Sequence, residues 1–261
     1  MKKRDLICGD LICGFMLILL LTVTHHVEGR DNSPEQAAGS KQTDNALKIL
    51  SRSTRFIETA KAFSANGNYA GELILENGQL VEYGSTFTVI FSRPEKLYMR
   101  LNLWDGSEAT MFFDGETITV TSTHDGRHIY DTIQQPGDVN ESLDFMVSKT
   151  GGPRELNFFL TEQMTSSLNR LRTGILLGKS TINGVLCDHL AVRSDTRDGQ
   201  VWVERGAEPR PWRILITHRE EAGQPRFWVQ FDKWDFSPSI SESTFKYTPP
   251  EDAVKLHYLN E

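Results

Sequence analysis

The chain has 261 residues, of which 38% are hydrophobic, 10% aromatic and 24% charged, and its formal net charge is −7. This composition is typical of a globular protein and excludes wholesale disorder. The negative charge provides no general attraction to nucleic acid or to an anionic membrane surface. The three cysteines are too few for a disulfide scaffold and form no Cys-x-x-Cys pair, so we expect no metal and no cofactor.

The N-terminus has the pattern of an export signal. Three basic residues at positions 2–4 precede an uncharged apolar run at residues 11–24. Because this run is shorter than the ~20 residues that span a bilayer, we predict a secretory signal peptide over residues 1–29. The alternative is an uncleaved inner-membrane anchor formed by residues 6–24. Cleavage would leave Cys187 as a single thiol without an internal disulfide.

Residues 30–43 are polar and lack apolar periodicity, so we predict a flexible leader there and a single domain over residues 44–261. The first part of that domain has apolar or small side chains at helical spacing, with charged residues between them. This pattern predicts one amphipathic helix. Its inward-facing positions are Ala46, Ile49, Leu50, Ser53, Phe56, Ile57, Ala60 and Phe63.

Seven Asn-Gly and Asp-Gly dipeptides follow the helix, and each favours the positive φ angles of a tight hairpin turn. They begin at positions 66, 77, 105, 114, 125, 183 and 198. Short segments between many of them alternate apolar and polar side chains, as in an antiparallel sheet with one solvated face. The apolar positions of these segments are Phe87, Val89, Phe91, Leu97, Met99, Leu101, Leu103, Ile214, Ile216, Phe227, Val229 and Phe231.

Residues 137–173 break this two-residue rhythm and predict one or two short helices, interrupted by a stop at Gly151-Gly152-Pro153. A sheet with so many strands is too large to stay flat. We therefore predict a mainly β fold of the α+β class, in which a curved antiparallel sheet, or half-barrel, encloses about three helices.

The inner face of such a sheet can be filled by the helices, or it can keep a hydrophobic cavity that accepts an acyl chain. Both arrangements fit the sequence. For the second arrangement we predict a ligand-binding lining of nine apolar residues, which are Phe87, Val89, Phe91, Leu97, Met99, Leu101, Met111, Phe158 and Phe159.

Seven segments carry a family resemblance, in the same order along roughly residues 45–256. They are Arg93-Pro94-x-Lys96-Leu97, Phe113-Asp114-Gly115-Glu116-Thr117-Ile118-Thr119-Val120, Gly178-x-x-x-Ile182-Asn183-Gly184-Val185-x-Cys187-x-His189-Leu190-Ala191, Gln200-Val201-Trp202-Val203-Glu204, Ile214-Leu215-Ile216-Thr217, Trp234-Asp235-Phe236-Ser237-Pro238 and Phe245-x-Tyr247-Thr248-Pro249-Pro250. Together they resemble a family of predicted bacterial periplasmic proteins without an established activity.

The resemblance implies the LolA/LolB-like fold of the lipoprotein-carrier superfamily. In that fold, a half-barrel of antiparallel strands closed by helices holds lipid or the acyl chains of lipoproteins. No ligand-contacting residue of the carriers can be placed on a matching motif here, and a shared fold does not fix the function. The resemblance also implies a periplasmic location for the exported chain.

The sequence lacks the common catalytic motifs: it has no His-Glu-x-x-His, no Gly-x-Ser-x-Gly and no phosphate-binding glycine loop. The cluster His218-Arg219-Glu220-Glu221 could supply an acid and a base, but charged turns between strands are common. Cys187 and His189 lie two residues apart on a predicted strand and could form a thiolate–imidazole pair, although lone cysteines are commonly small buried hydrophobes. We therefore expect no enzymatic activity.

Three hypotheses follow for the function. The first is a monomeric periplasmic protein that binds a hydrophobic small molecule, a lipid or a lipoprotein acyl chain in the predicted cavity. The second is an interaction module with a filled core, which docks another envelope protein through Trp202, Trp212, Trp228 and Trp234. The third is a hydrolase that uses His218 with Glu220 or Glu221.

Overall fold

The computed structural model describes residues 34–150 and 163–260. Its helices and strands, in chain order, are α1 (Pro34–Glu58), β1 (Ala62–Ile74), β2 (Leu80–Ser92), β3 (Lys96–Leu103), β4 (Glu108–Phe113), β5 (Thr117–His124), β6 (Arg127–Gln134), α2 (Val139–Thr150), α3 (Gln163–Leu168), β7 (Leu171–Ile182), β8 (Val185–Ser194), β9 (Arg197–Glu204), β10 (Pro211–His218), β11 (Arg226–Asp235) and β12 (Val254–Lys255).

The strands form one curved, unclosed sheet of 12 strands in the order β12-β6-β5-β4-β3-β2-β1-β11-β10-β9-β8-β7. Neighbouring strands are antiparallel, except that β12 pairs in parallel with β6. Since β1 pairs with both β2 and β11, it joins an N-terminal half, β1–β6, to a C-terminal half, β7–β11. The prediction of a curved antiparallel sheet with helices is confirmed.

The sheet has an inner face, on which the hydrophobic core lies, and an outer face. On the inner face the strand register places Phe91, Leu97, Phe113 and Ile118 side by side across β2 to β5, and all four side chains are fully buried. Burial of one such side chain stabilises the fold by about 1.5–3 kcal/mol relative to its exposure. The alternating apolar positions of the sequence thus define the inner face.

Helix α1 begins at Pro34, so residues 34–43 of the predicted leader are helical. Proline suits a first turn, and the Glu, Gln, Ala and Lys residues that follow favour helix without any apolar periodicity. The helix ends at Glu58, and the last two predicted positions do not lie on it. Phe63 instead belongs to β1, where its ring stacks on Phe91 with a centroid distance of 4.8 Å.

Residues 1–33 lie outside the described residues, and with them the predicted signal peptide of residues 1–29 and the alternative membrane anchor of residues 6–24. None of the helices in residues 34–150 and 163–260 is long and apolar enough to cross a membrane.

Helix α2 begins with a reciprocal capping box. The backbone N–H of Glu141 donates to Asp138 Oδ1 at 2.9 Å, and the backbone N–H of Asp138 donates to Glu141 Oε2 at 3.0 Å. Its buried side includes Val139 and Leu143. The backbone N–H of Val139 donates to the carbonyl of Pro94 at 3.0 Å, which fixes the helix beside the turn between β2 and β3.

Helix α3 is bonded to the end of α1. The backbone N–H and the hydroxyl of Thr165 donate to the carboxylate of Glu58 at 2.9 and 2.6 Å. The short helices predicted within residues 137–173 are therefore present as α2 and α3. The predicted stop at residues 151–153, and Phe158 with Phe159, lie outside the described residues.

Five of the seven predicted hairpin turns join consecutive strands, and two predictions are wrong. Asp198-Gly199 lies within β9. Asn66-Gly67 lies within β1, opposite a β-bulge of β11 at Asp232, where the register between the two strands shifts. There a Cβ on Gly67 would overlap the backbone carbonyl of Gln230. At this position glycine allows the neighbouring strand to come close, and it does not form a turn.

The C-terminal segment, residues 242–259, wraps around the β6 edge of the sheet, and we call it the C-terminal hook. On the outer face, the ring of Tyr247 lies 5.5 Å from that of Phe112 and 5.3 Å from that of Tyr130. At the edge, β12 pairs with β6. On the inner face, Leu259 is fully buried in the core beside Asp131. The hook therefore covers the backbone of an otherwise open strand.

Candidate functional site

Seven of the nine predicted lining residues are described, and the structure brings all seven together on the inner face. Across β2 and β3, Phe91 pairs with Leu97, Val89 with Met99 and Phe87 with Leu101; across β3 and β4, Met99 pairs with Met111. Residues directly paired in an antiparallel sheet share one face, so these side chains form a contiguous apolar surface.

The burial of this surface changes along the strands. Val89, Phe91 and Leu97 are fully buried, whereas Met99 and Leu101 are only partly buried. Val120 on β5 and Ile133 on β6, which also face the core, are partly buried as well. The apolar inner face thus continues from a closed core into a partly exposed region on β3 to β6, which we call the inner apolar patch.

The helices are distributed unevenly over the inner face. Helix α1 lies on β7, β8 and β9, and Gly174 of β7 would meet the side chain of Ala46 at 3.2 Å if it carried a Cβ. Helix α2 begins beside Pro94, at the end of β3 where Leu97 is fully buried. Among the described residues, α1 therefore packs on β7 to β9, in the half of the sheet that does not contain the inner apolar patch.

Phe87 occupies the boundary between the two halves of the sheet. Its ring meets that of Phe231 on β11 edge to face, with a centroid distance of 5.7 Å. The two rings lie on either side of Gly67, because Gly67 pairs with Phe87 on β2 and with Phe231 on β11. Gly67 of β1, opposite the bulge in β11, therefore allows these two rings to meet next to the predicted lining.

The two halves of the outer face differ in chemistry. On β3 to β6 it carries two adjoining clefts of about 450 and 230 Å³. Both clefts have polar and apolar residues in their lining, and four polar residues line both of them: Arg100, Glu108, Thr123 and His128. The second cleft is closed on one side by Tyr247 and Pro250 of the C-terminal hook.

On β8 to β11 the outer face carries an aromatic and cationic row. The imidazole of His189 stacks on Trp202 with a centroid distance of 4.2 Å and an interplanar angle of 14°. The guanidinium of Arg213 lies 4.9 Å from the Trp228 ring and 5.9 Å from the Trp202 ring, and it donates to Gln230 Oε1 at 2.6 Å. Burial lowers the pKa of Arg213, which is the direction expected for a partly desolvated cation.

The four tryptophans predicted to form one docking surface do not lie together. Trp202 and Trp228 are partly exposed on the outer face, whereas Trp212 and Trp234 are buried. The indole N–H of Trp212 donates to Glu204 Oε2 and that of Trp234 donates to the carbonyl of Pro211, both at 2.9 Å. The prediction that all four form a surface is wrong. A bulge in β10 at Trp212 and a bulge in β11 at Asp232 change the alternation of the strands, so that Trp212 and Trp234 do not face the row.

Comparison with known proteins decides the family. Residues 46–259 match the sequence profile of a family described as "Predicted periplasmic protein (DUF2092)". This chain belongs to that family. The family predicted from the seven sequence segments is thereby confirmed, and the match covers every described strand. No curated protein matches the chain.

Solved structures with a similar arrangement come from other proteins and are distant in sequence. The Mycobacterium tuberculosis lipoprotein LppX is 11% identical with a TM-score of 0.47, over 76% of this chain and 99% of LppX. LprF from Mycobacterium bovis is 10% identical with a TM-score of 0.46, over 76% of this chain and 96% of LprF. The LolA superfamily protein NE2245 from Nitrosomonas europaea is 11% identical with a TM-score of 0.35, over 77% and 97% of the two chains.

The predicted hydrolase residues are brought together only in part. His218 Nδ1 lies 3.1 Å from Glu221 Oε1 at the end of β10, and Glu221 is exposed. Glu220 is exposed too. The backbone N–H of His218 donates to the carbonyl of Pro225 at 3.0 Å, so the pair belongs to the closed turn between β10 and β11. This geometry is that of a charged hairpin turn.

Cys187 and His189 do not form a catalytic pair. The thiol of Cys187 is fully buried and approaches the carbonyl of Val185 at 3.5 Å. Burial, together with the negative charges of Glu204 and Asp188, raises the pKa of Cys187 to about 11. His189 is bonded instead to Gln200, with Nε2 2.9 Å from Oε1. A protonated, buried thiol is a poor nucleophile.

The described ranges contain no group of three or more His, Cys, Asp or Glu residues that could hold a metal ion. The absence of a cofactor and of catalysis remains a prediction.

Proposed function

We propose that this protein is a periplasmic binding protein that holds a lipid or a lipid-linked acyl chain against the inner apolar patch and catalyses no reaction. Its membership of a family described as predicted periplasmic proteins supports the location. The ligand class is supported by the described part of the predicted lining, which lies on one face of the sheet. Its members are Phe87, Val89, Phe91, Leu97, Met99, Leu101 and Met111.

The observation that carries this proposal is the gradient of burial on β3. Leu97 is fully buried, but Met99 and Leu101, which follow it on the same face, are partly exposed. Exposed apolar area contributes nothing to folding, whereas each methylene group of a ligand that it removes from water contributes about 0.8 kcal/mol to binding. The flexible thioether side chain of a methionine such as Met99 adapts its shape to an apolar partner.

The first test is native mass spectrometry of the protein purified from its own cell envelope. We expect a bound lipid to co-purify and a fluorescent fatty acid to exchange with it. Repeated preparations without any lipid, together with no uptake of the fatty acid, would overturn the proposal.

The second test places a polar side chain in the inner apolar patch. Met99→Gln and Leu101→Gln, at partly exposed positions, should each weaken fatty-acid binding about tenfold. The matched control is Thr88→Gln, on the outer face of β2 between Phe87 and Val89. Equal affinities for all three variants would exclude the patch as the binding surface.

A second candidate function is docking of another envelope protein by the outer face of β8 to β11. The row of Trp202, Arg213 and Trp228 favours it, since tryptophan and arginine provide most binding hot spots at protein interfaces. A photo-crosslinking side chain at position 228 should then give one discrete adduct in cells, and Arg213→Ala should abolish it. The same crosslinker at position 88 serves as the control, and equal adducts at both positions would contradict this function.

A further inference from the structure

The outer face of β3 to β6 has a groove that the proposed function does not use. The two clefts of about 450 and 230 Å³ share Arg100, Glu108, Thr123 and His128, so they form one continuous groove across four strands. It extends from the turn at Gly106 to Tyr247 of the C-terminal hook. The volume of the larger cleft is within the range of small-molecule sites.

The hydroxyl groups in this groove differ from the other outer-face hydroxyls of the same half-sheet. Outside the second cleft, the threonine hydroxyls are paired: Thr88 accepts from Asn66 Nδ2 at 2.8 Å, and Thr119 lies 2.9 Å from Thr132. Within the described residues, four hydroxyls that line the second cleft have no hydrogen-bonding partner. They belong to Tyr98, Thr110, Thr121 and Tyr247.

The charges of the groove are nearly balanced. Arg100 forms an ion pair with Glu108 at 3.1 Å, and the Thr123 hydroxyl lies 3.0 Å from His128 Nδ1. The lining therefore has no excess of one sign that would select an anion or a cation. It offers instead hydroxyls, a guanidinium and a carboxylate, which together both donate and accept hydrogen bonds.

One end of the groove is aromatic. The rings of Tyr98 and Phe112 meet edge to face at 5.4 Å, and Tyr247 lies 5.5 Å from Phe112. All three side chains are partly exposed. Such rings offer an apolar surface with a polar edge to a ligand that has both. Tyr247 and Pro250 also belong to the closing sequence motif Phe245-x-Tyr247-Thr248-Pro249-Pro250, which the inner-face function leaves unexplained.

From these features we infer that the outer groove is a binding site for an oligosaccharide. A chain of sugar rings matches an elongated, charge-balanced groove, because every ring carries several hydroxyls that donate and accept hydrogen bonds and an apolar face of C–H groups. The unpaired hydroxyls of Thr121 and Tyr247 bond the sugar hydroxyls, and the rings of Tyr98 and Tyr247 contact a sugar ring at the aromatic end. Thr110 is only 4% exposed and makes no such bond. This site is independent of the inner apolar patch.

The test is a titration of the isotopically labelled protein with chitotetraose and, separately, with maltotetraose, followed by NMR of the backbone amides. We expect saturable shifts for at least one sugar, confined to β3, β4, β5 and the residues around Tyr247. No saturable shift with either sugar, or shifts located elsewhere, would overturn the inference.

A pair of variants adds a sharper criterion. Replacement of two groove hydroxyls in Thr121→Val with Tyr247→Phe should raise the dissociation constant about tenfold, because two hydrogen bonds are lost at nearly constant shape. The control, Thr88→Val, removes an outer-face hydroxyl outside the groove and should change the constant less than about twofold. If the double variant and the control change the dissociation constant equally, the site is contradicted. We expect all these variants to bind fatty acid with the affinity of the unmodified protein.

Discussion

The backbone N–H of Leu259 donates a hydrogen bond of 2.8 Å to Asp131 Oδ2, and both residues are fully buried. Asp131 is the polar member of an otherwise apolar inner row, since it pairs with Val120 across β5 and β6. Its other oxygen accepts the N–H of Thr132 at 2.7 Å. Burial and the charge of Asp131 together raise the pKa of the neighbouring Tyr258 to about 12.

Removal of this carboxylate should release the C-terminal hook. Asp131→Ala removes the acceptor of the buried Leu259 N–H and of the partly buried Thr132 N–H, and we expect it to lower the free energy of unfolding by about 1–3 kcal/mol. Urea denaturation followed by tryptophan fluorescence measures the change. The control is Glu251→Ala, an exposed carboxylate of the hook. A loss for Asp131→Ala within about 0.5 kcal/mol, the range of ordinary surface changes, would contradict the role of the bond.

Gly67 should be intolerant of any side chain. In Gly67→Ala the new methyl group would overlap the Gln230 carbonyl and approach the Phe87 ring to 2.9 Å. We expect a destabilisation of about 1–3 kcal/mol, as for other overpacked sites. The urea midpoint reports it, with Thr181→Ala at an exposed position of β7 as the control. A midpoint shift no greater than that of the control would show that the bulge can open.

Glu204 should contribute stability that acid removes. Burial acts to raise its pKa, but hydrogen bonds from Arg210 and Trp212 outweigh burial, so the pKa of Glu204 lies below its usual value of 4.5. A carboxylate with a depressed folded-state pKa stabilises the protein above the unfolded-state pKa, and this stabilisation is lost as the pH falls through the folded-state value.

We therefore expect Glu204→Gln to lower the urea midpoint at pH 7 and to flatten its decline below pH 4.5. The exposed Glu76→Gln is the control. If the two variants show the same pH profile, the hydrogen bonds to Glu204 do not stabilise the fold.

Cys187 should resist alkylation in the folded protein. Its pKa of about 11, against the ordinary 9.0, lowers the thiolate fraction near neutral pH about a hundredfold. Burial slows the reaction further, so labelling by iodoacetamide at pH 8 should occur only on unfolding, as mass spectrometry can show. A cysteine introduced by Leu186→Cys in a Cys187→Ser background, at a site that is 48% exposed, should react at once. Equal labelling rates at both positions would contradict the burial of Cys187.

The faces of the strands could be predicted because a two-residue period is a local property. The alternation with polar residues was enough to place Leu97, Met99 and Leu101 together on the inner face. The Asn66-Gly67 turn was predicted wrongly because the same dipeptide suits a turn or a strand position where neighbouring chains come close, and the choice depends on Phe87 and Phe231, which are far away in sequence.

The outer groove had no sequence signal of its own. Its wall is formed by Tyr247, which lies more than a hundred positions after Arg100 and reaches β4 only because the hook turns around the β6 edge. Likewise, the sequence does not distinguish the partly exposed Trp228 from the buried Trp234, since their exposure depends on the residues that neighbouring strands place over them.

The position of β1 between β2 and β11 has a consequence for how the protein is made. β2 follows β1 after a short turn, whereas β11 begins only at Arg226, so one edge of β1 has no partner until most of the chain has been synthesised. Pairings between distant segments form slowly, and an open strand edge invites association with other chains. Self-association during biogenesis should therefore begin at the unpaired edge of β1, before β11 has paired with it, although this edge lies at the centre of the finished sheet.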